Sequence, residues 1–324
     1  MSQKLDPEKQ KILEIKTGSH LYGTNTPESD VDFCGVFIPP INYYFGLDKV
    51  GEVDLSIIDK LDNGKNTKDA VDRKFYELRK FVTLAMENNP NLLEILSVNK
   101  PNIVYANDIG IKLLDNKHLF PHKGLERRFI GYSLSQKKKL YVKSGNMNDL
   151  KEGLTKLEFF HYNVINGRPN LKYIFQIEND LINSGFFKDN ENQHFKIGDI
   201  FIQKNITIKN AIGQVKNRIS KFGNRKDLVE EFGFDLKFGS HCVRLLLEGK
   251  ELLETGEIKF PLSYADLILE IKSGKYSLSE LEEMIEYYEN EIRLSFEKTQ
   301  LPSKPQYDKI NKMLIDILQQ HFYN

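Results

Sequence analysis

The chain has 324 residues with 46 Lys plus Arg against 46 Asp plus Glu, so its formal net charge is zero. That length suits two domains, or one domain with a large appendage, and the balance excludes a protein that holds nucleic acid by bulk positive charge, though not one with a local basic groove. Two cysteines, Cys34 and Cys242, exclude a disulfide scaffold and a cysteine zinc cluster. The charged start of the chain lacks the apolar core of a signal peptide, and no apolar run is long enough to cross a bilayer. A soluble protein of the cytoplasm is expected.

In chain order, residues 12–16 read as a short buried strand or a helix end, broken at Thr17-Gly18-Ser19. Asp30 to Ile38 alternates and is rich in Val and Phe, which predicts a strand that Pro39-Pro40 stops. Residues 60–70 read as a polar loop. A strand over Asp72–Tyr76 then runs into a helix with Leu78, Phe81, Val82 and Ala85 at helical spacing. Asn88-Asn89-Pro90 ends it, and a second helix begins behind Asn91. From about residue 118 the pattern turns mostly helical: Phe129, Tyr132, Leu140 and Tyr141 read as one helix, and Phe238 to Leu253 and Leu278 to Phe296 are the clearest helices. The composition shift near 116–124 sets the expected division: a catalytic domain over 1–117 and a mostly helical domain over 118–324.

The chemistry concentrates in residues 17–40. Gly18-Ser19 suits a phosphate, because glycine lets backbone N–H groups approach closely and the serine hydroxyl adds a donor. Asp30-Val31-Asp32 follows on the predicted strand, where period two puts both carboxylates on one face and points Val31 into the core. Two adjacent carboxylates repel unless a cation lies between them. Oxygen ligands suit Mg²⁺, which shares its shell readily with substrate phosphates. Singly, an Asp-x-Asp is usually a solvated strand edge and a Gly-Ser usually a turn. The combination of Gly-Ser, a loop, Ser-Asp-x-Asp and an apolar strand ending in proline is more specific and outlines a metal–nucleotide site.

That stretch resembles the signature of the DNA polymerase β-like nucleotidyltransferase superfamily, and more narrowly the RlaP-type nucleotidyltransferases associated with RNA repair. Tyr76 to Phe81 with Asn89 to Glu94 is similar to a second family block, and Gly239 to Leu246 with Glu251 to Gly256 to a third. Residues 145–230 do not read as family-like. The resemblance implies an α+β fold, with a polymerase β-type palm of mixed sheet and flanking helices followed by a helical domain that covers the nucleotide. It implies transfer of NMP from an NTP, ATP being the expected one, to a hydroxyl with release of pyrophosphate. Asp30 and Asp32 would hold two Mg²⁺ (or Mn²⁺) ions, and Gly18 and Ser19 would cradle the phosphates. The superfamily's third carboxylate matches Asp72, with Glu77 and Asp54 as rivals; Glu77 suits a helix's first turn better. The acceptor it suggests is an RNA end, such as that of a tRNA. Transfer to a small molecule or a protein hydroxyl is the alternative, and a catalytically idle or antitoxin-like binding module is the alternative of another class.

Lys237, His241, Arg244 and Glu248 follow steps of four, three and four, so they share one helix face. Alone, such a face is more often solvated, with an ion pair to Glu248. With the resemblance, Lys237, His241 and Arg244 are read as nucleotide-binding. Arg79 and Lys80 could bind phosphate or pair with Glu77 or Glu94. Lys137-Lys138-Lys139 with Tyr141 and Lys143, and Lys216 to Lys226 around Phe222, are weaker candidates for a phosphate backbone. His118 and His122 do not read as a metal pair, because Pro121 interrupts their spacing. Cys34 reads as a small packing residue. No dinucleotide-binding or Walker-type loop is present.

Overall fold

The computed structural model describes residues 4–27, 29–57, 71–166, 172–190, 193–220 and 232–323. The expected 60–70 loop, with Asp69, and the stretch holding Lys221, Phe222, Arg225 and Lys226 lie outside the described residues, as do the side chains of Tyr141 and Lys143. The chain divides into two compact units. The first comprises residues 1–61, 66–136 and 239–324; the second comprises 62–65 and 137–238. Position 117 falls inside the first unit.

The first unit is built on a five-stranded mixed sheet in the order β3-β4-β2-β1-β5. Its strands are β1 (Lys11–Thr17), β2 (Asp32–Phe37), β3 (Glu52–Asp54), β4 (Arg73–Glu77) and β5 (Ile103–Ala106). β1 and β2 run antiparallel with Thr17 opposite Asp32 and Ile15 opposite Cys34. β2 and β4 run parallel with Phe33 beside Arg73. This parallel pair needs a crossover, and residues 38–72 supply it together with β3. Both faces are covered, which explains why Leu13, Ile15, Val36, Phe37 and Phe75 are all fully buried. At Gly35 the Phe75 ring lies where a Cβ would stand, so the central pair closes only over a glycine.

The helices follow local signals. Helix α1 (Gly18–Tyr22) leaves β1 directly, and α2 (Leu78–Met86) leaves β4 directly. Glu77 caps α2, its carboxylate accepting from the Arg79 and Lys80 amides at 2.9 Å each. Asn89 caps α3 (Pro90–Leu96), with Pro90 in the first turn. The second predicted helix therefore starts two residues earlier than the sequence suggests, since Pro90 needs no amide partner there. After α4 (Asp108–Asp115) comes α5 (Leu125–Asn166), 42 residues long. The first unit finishes on α8 (Leu236–Thr255), which starts just ahead of it, then α9 (Ala265–Lys272), α10 (Leu278–Lys298) and α11 (Tyr307–Tyr323). Among the described residues, no helix is long and apolar enough to cross a membrane.

The second unit has its own core, in which Leu150, Leu157, Phe187, Phe195, Ile202 and Val215 are buried. It contains α6 (Glu178–Asn183), α7 (Ile208–Ser220) and an antiparallel three-stranded sheet of β6 (Phe187–Asn190), β7 (His194–Ile197) and β8 (Ile200–Gln203). The fold is thus α+β with a mostly helical remainder. The small sheet is the exception that the helical reading of the remainder passed over.

Candidate active site

The turn after β1 and the start of β2 meet at one point. Thr17 ends β1 opposite Asp32, and the chain then reverses through Gly18 at φ +64°. A Cβ on Gly18 would overlap the Asp32 carboxylate, meeting Oδ2 first. Only glycine satisfies both conditions, the left-handed backbone and the carboxylate packed against it. Ser19 follows, half-buried, and its carbonyl accepts from the Gly23 and Thr24 amides, closing the turn.

The strand begins at Asp32 rather than Asp30. β1 has ended at Thr17, so no ladder partner extends to Val31 and Asp30. Asp30 is exposed, Asp32 is half-buried, and Val31 is half-buried rather than in the core as expected. Asp72 immediately precedes β4, where the Phe33 amide donates to its carbonyl at 2.8 Å. The parallel register therefore sets Asp72 laterally next to Asp32, on the same face by strand alternation. The Ser56 hydroxyl donates to Asp72 Oδ1 at 2.9 Å and accepts the Arg73 amide at 3.0 Å.

The rivals have other duties. Glu77 is buried as the α2 cap and takes a 2.7 Å bond from the Tyr44 hydroxyl. Asp54 is exposed and bound by the Ser56 amide, and hydrogen bonds from Ser56 hold its carboxyl below the usual range. Arg79 lies 3.6 Å from Glu77 and over the Tyr44 ring, while Lys80 pairs with Glu52 at 2.9 Å. Of the two partners the sequence offered, Arg79 takes Glu77, and Glu94 is held instead by Arg244.

Among the described residues, no three His, Cys, Asp or Glu side chains gather tightly enough to hold a metal ion by themselves. The donor set nevertheless fits Mg²⁺. That ion is commonly held by one or two carboxylates plus substrate phosphates, and Asp32 with its neighbour Asp72 offers hard oxygen donors beside the glycine turn.

Arg244 corrects the sequence reading. It was expected on a face lining the nucleotide, but it is buried in the first unit. Its Nη1 donates to Glu94 Oε1 at 2.6 Å and to Glu248 Oε1 at 2.7 Å. Its guanidinium stacks 4.2 Å from the Tyr22 ring centroid, and the Tyr22 hydroxyl donates to Glu94 Oε2 at 2.6 Å. A guanidinium enclosed by two carboxylates and a phenol ring is not free to take a phosphate. Burial pushes the Glu248 carboxyl well above its usual range, against the pull of Arg244. Burial also raises the Tyr22 phenol well above its usual value. The cluster ties α1, which carries Gly18 and Ser19, to α3 and α8. His241 is half-buried on α8, while Lys237 is exposed and belongs to the second unit.

Sequence reasoning gave Tyr22 no role and saw Glu94 only as a possible partner for Arg79 or Lys80. The available signal was Glu94 itself, a lone acid between Leu92-Leu93 and Ile95-Leu96, which must find a partner if its helix is buried. Cys34 packs as expected; burial pushes its thiol up to about 12. The His122 ring is occupied by the Met86 carbonyl and the Gly124 amide. In the second unit, Lys216 pairs with Glu158, Arg218 with Asp199, and Lys139 lies over the Phe238 ring.

Comparison with known proteins adds three findings. The chain is 28% identical over 303 residues to an uncharacterized 38.9 kDa protein from the nrdC-mobD intergenic region of Enterobacteria phage T4, covering 85% of this chain and 86% of that one. A nucleotidyltransferase-like protein from Exiguobacterium sibiricum 255-15 aligns over 96% of this chain and 74% of its own, at 11% identity and a TM-score of 0.25, too loose a superposition to argue from. Residues 4–165, half of the chain, match RlaP, described as the RNA repair pathway DNA polymerase beta family. The match spans the glycine turn, both aspartates of the Asp-x-Asp and Asp72, and the chain belongs to that family.

Proposed function

We propose that this protein transfers a nucleoside monophosphate from an NTP, ATP first among them, to a hydroxyl acceptor at an RNA end. The observation that carries the reading is the junction of Gly18 with Asp32: the turn suited to phosphate and the carboxylate suited to a cation are packed against each other. In this reading the Gly18 and Ser19 amides and the Ser19 hydroxyl donate to the β- and γ-phosphate oxygens. Asp30, Asp32 and Asp72 would hold Mg²⁺ or Mn²⁺ in a two-metal site, which when bound neutralises triphosphate charge. Asp72, exposed beside Asp32, accepts or helps remove the proton of the attacking hydroxyl. The buried Tyr22–Glu94–Arg244–Glu248 cluster fixes α1 from behind, so the turn keeps its shape without phosphate present. His241 remains a candidate for contact with the nucleotide. The catalytic part is assigned to residues 1–117, and selection of the acceptor to the helical remainder.

Incubation with each α-labelled NTP and Mg²⁺, with and without total tRNA, tests the reading. Label should enter RNA in the wild type and not in Asp32→Asn. Label entering a small molecule or the protein instead would favour those acceptors.

A further inference from the structure

Away from the carboxylates, the first unit holds a cleft of about 600 Å³ between the end of α2 and the start of α5. That is within the range of about 300–1,000 Å³ usual for ligand sites. Its walls carry Glu87, Arg127, Arg128, Gly131, Tyr132 and Ser135.

The side chains are arranged for an anion with flat groups attached. Arg128 is held in place, Nε donating to the Glu87 carbonyl at 2.9 Å and Nη2 to its carboxylate at 2.6 Å. Arg127 is exposed and pairs with no acid among the described residues. The local balance of two guanidiniums and one carboxylate is therefore positive. The Asn89 amide donates to the Tyr132 hydroxyl at 3.2 Å, which fixes the phenol by its oxygen. Nothing lies within 4 Å of where a Cβ on Gly131 would stand, so a planar group could approach the helix backbone there. Ser135 adds an exposed hydroxyl. Arginine beside an anchored aromatic ring is how single-stranded nucleic acid is commonly gripped, by phosphate contact and base stacking together.

The position suits an acceptor strand better than the NTP. The cleft lies at the far end of α2, the helix that β4 feeds directly. Tyr76 lies on β4 four residues beyond Asp72, on the same face by alternation, about 13 Å along the strand. A bound strand passing the cleft could thus direct its end toward Asp72, whereas a single nucleotide would not span the gap.

We propose that this cleft is the docking subsite for a single-stranded RNA acceptor, with Arg127 on its phosphodiester backbone and Tyr132 stacked on a base. The purpose of the subsite rests on the nucleotidyl-transfer reading above.

The test uses the full chain and a fluorescein-labelled single-stranded RNA, followed by anisotropy over a range of salt, with Mg²⁺·ATP binding measured separately. Arg127→Glu should weaken RNA binding at least tenfold and reduce the salt slope by about one. Tyr132→Ala should weaken it about tenfold while Tyr132→Phe, which keeps the ring, restores most of the affinity. Lys312→Glu on α11, the same charge change elsewhere, should do far less, and every variant should melt as the wild type does. ATP affinity should stay within twofold throughout. Wild-type protein that binds no RNA at low salt, or Arg127→Glu that behaves like Lys312→Glu, overturns the assignment. If ATP binds and its nucleotide is transferred while the cleft variants change nothing, only the subsite falls. If Mg²⁺·ATP does not bind at all, the transfer reading fails independently.

Discussion

Replacing Arg244 with alanine removes the cation that Glu94 and Glu248 share. Both carboxylates are almost fully buried, at 2% and 0% exposure, so water cannot take over from the guanidinium. Removing one partner of a buried ion pair typically costs about 3–5 kcal/mol, because the other charge is left uncompensated. Protonation of the carboxyls relieves part of this, since burial already favours the protonated form of Glu248. For a domain of this size, about 2–4 °C of melting temperature per kcal/mol gives a fall of about 6–20 °C. The deficit has a sign in pH. Without Arg244 the folded Glu248 carboxyl binds its proton still more tightly than the unfolded one, so stability falls as pH rises from the unfolded carboxylate range through its raised value. The variant should therefore lose more against wild type at pH 8 than at pH 5.5. Thermal melting at the two pH values, with Arg244→Ala/Glu94→Gln/Glu248→Gln as the compensated partner, measures this. The triple variant should recover much of the loss, since its buried groups no longer carry charge. An Arg244→Ala protein that melts like wild type but shows a raised KM for NTP would refute the reasoning and return the guanidinium to the nucleotide.

Other consequences are more local. Gly18→Ala strains a backbone at φ +64° and drives a methyl into the Asp32 carboxylate; we expect a loss of about 1–3 kcal/mol in urea denaturation together with loss of transfer, and normal activity would undo the junction. Asp32→Asn should abolish transfer while melting at or slightly above the wild-type temperature, because it relieves repulsion with Asp72; a large drop in melting temperature would make Asp32 structural. Glu248→Gln should flatten the pH dependence of stability. The wild-type carboxyl contributes fully below its unfolded pKa of about 4.3, and that contribution is lost as pH rises through the raised folded value. Unfolding free energies from urea denaturation that change equally between pH 5 and 8 in both proteins would contradict it. Cys34, with its thiol at about 12, should resist alkylation at pH 8 in the folded protein and react in denaturant; rapid native labelling would contradict its burial.

Much of the sheet was legible because its central strands are apolar and punctuated. Glycine after β1, proline after β2 and asparagine-proline between α2 and α3 mark ends that the backbone then obeys. The edge strands β3 and β5, three and four residues long, carry no period that sets them apart from loop. The β7–β8 hairpin did carry a signal, since Gly198-Asp199 separates two short runs rich in Ile and Phe, a two-residue turn with Gly198 at φ +54°. In the site, the closeness of Gly18 to Asp32 was legible in local sequence, whereas Asp72 entered through the family resemblance and Asp30 lies ahead of the strand expected to hold it. The Arg244 cluster was not legible, because its partner Glu94 is 150 residues away. Helical spacing groups residues on a face but does not say whether that face meets solvent or a second buried charge.

Nucleotide transfer is tested most directly by following α-labelled and γ-labelled ATP in parallel, with Mg²⁺ and an RNA acceptor, in wild type and Asp32→Asn. The account predicts that the α-label becomes covalently attached to RNA, the γ-label leaves as pyrophosphate, and Asp32→Asn does neither. Transfer of the γ-label to the acceptor, or equal α-label incorporation by Asp32→Asn, would contradict it.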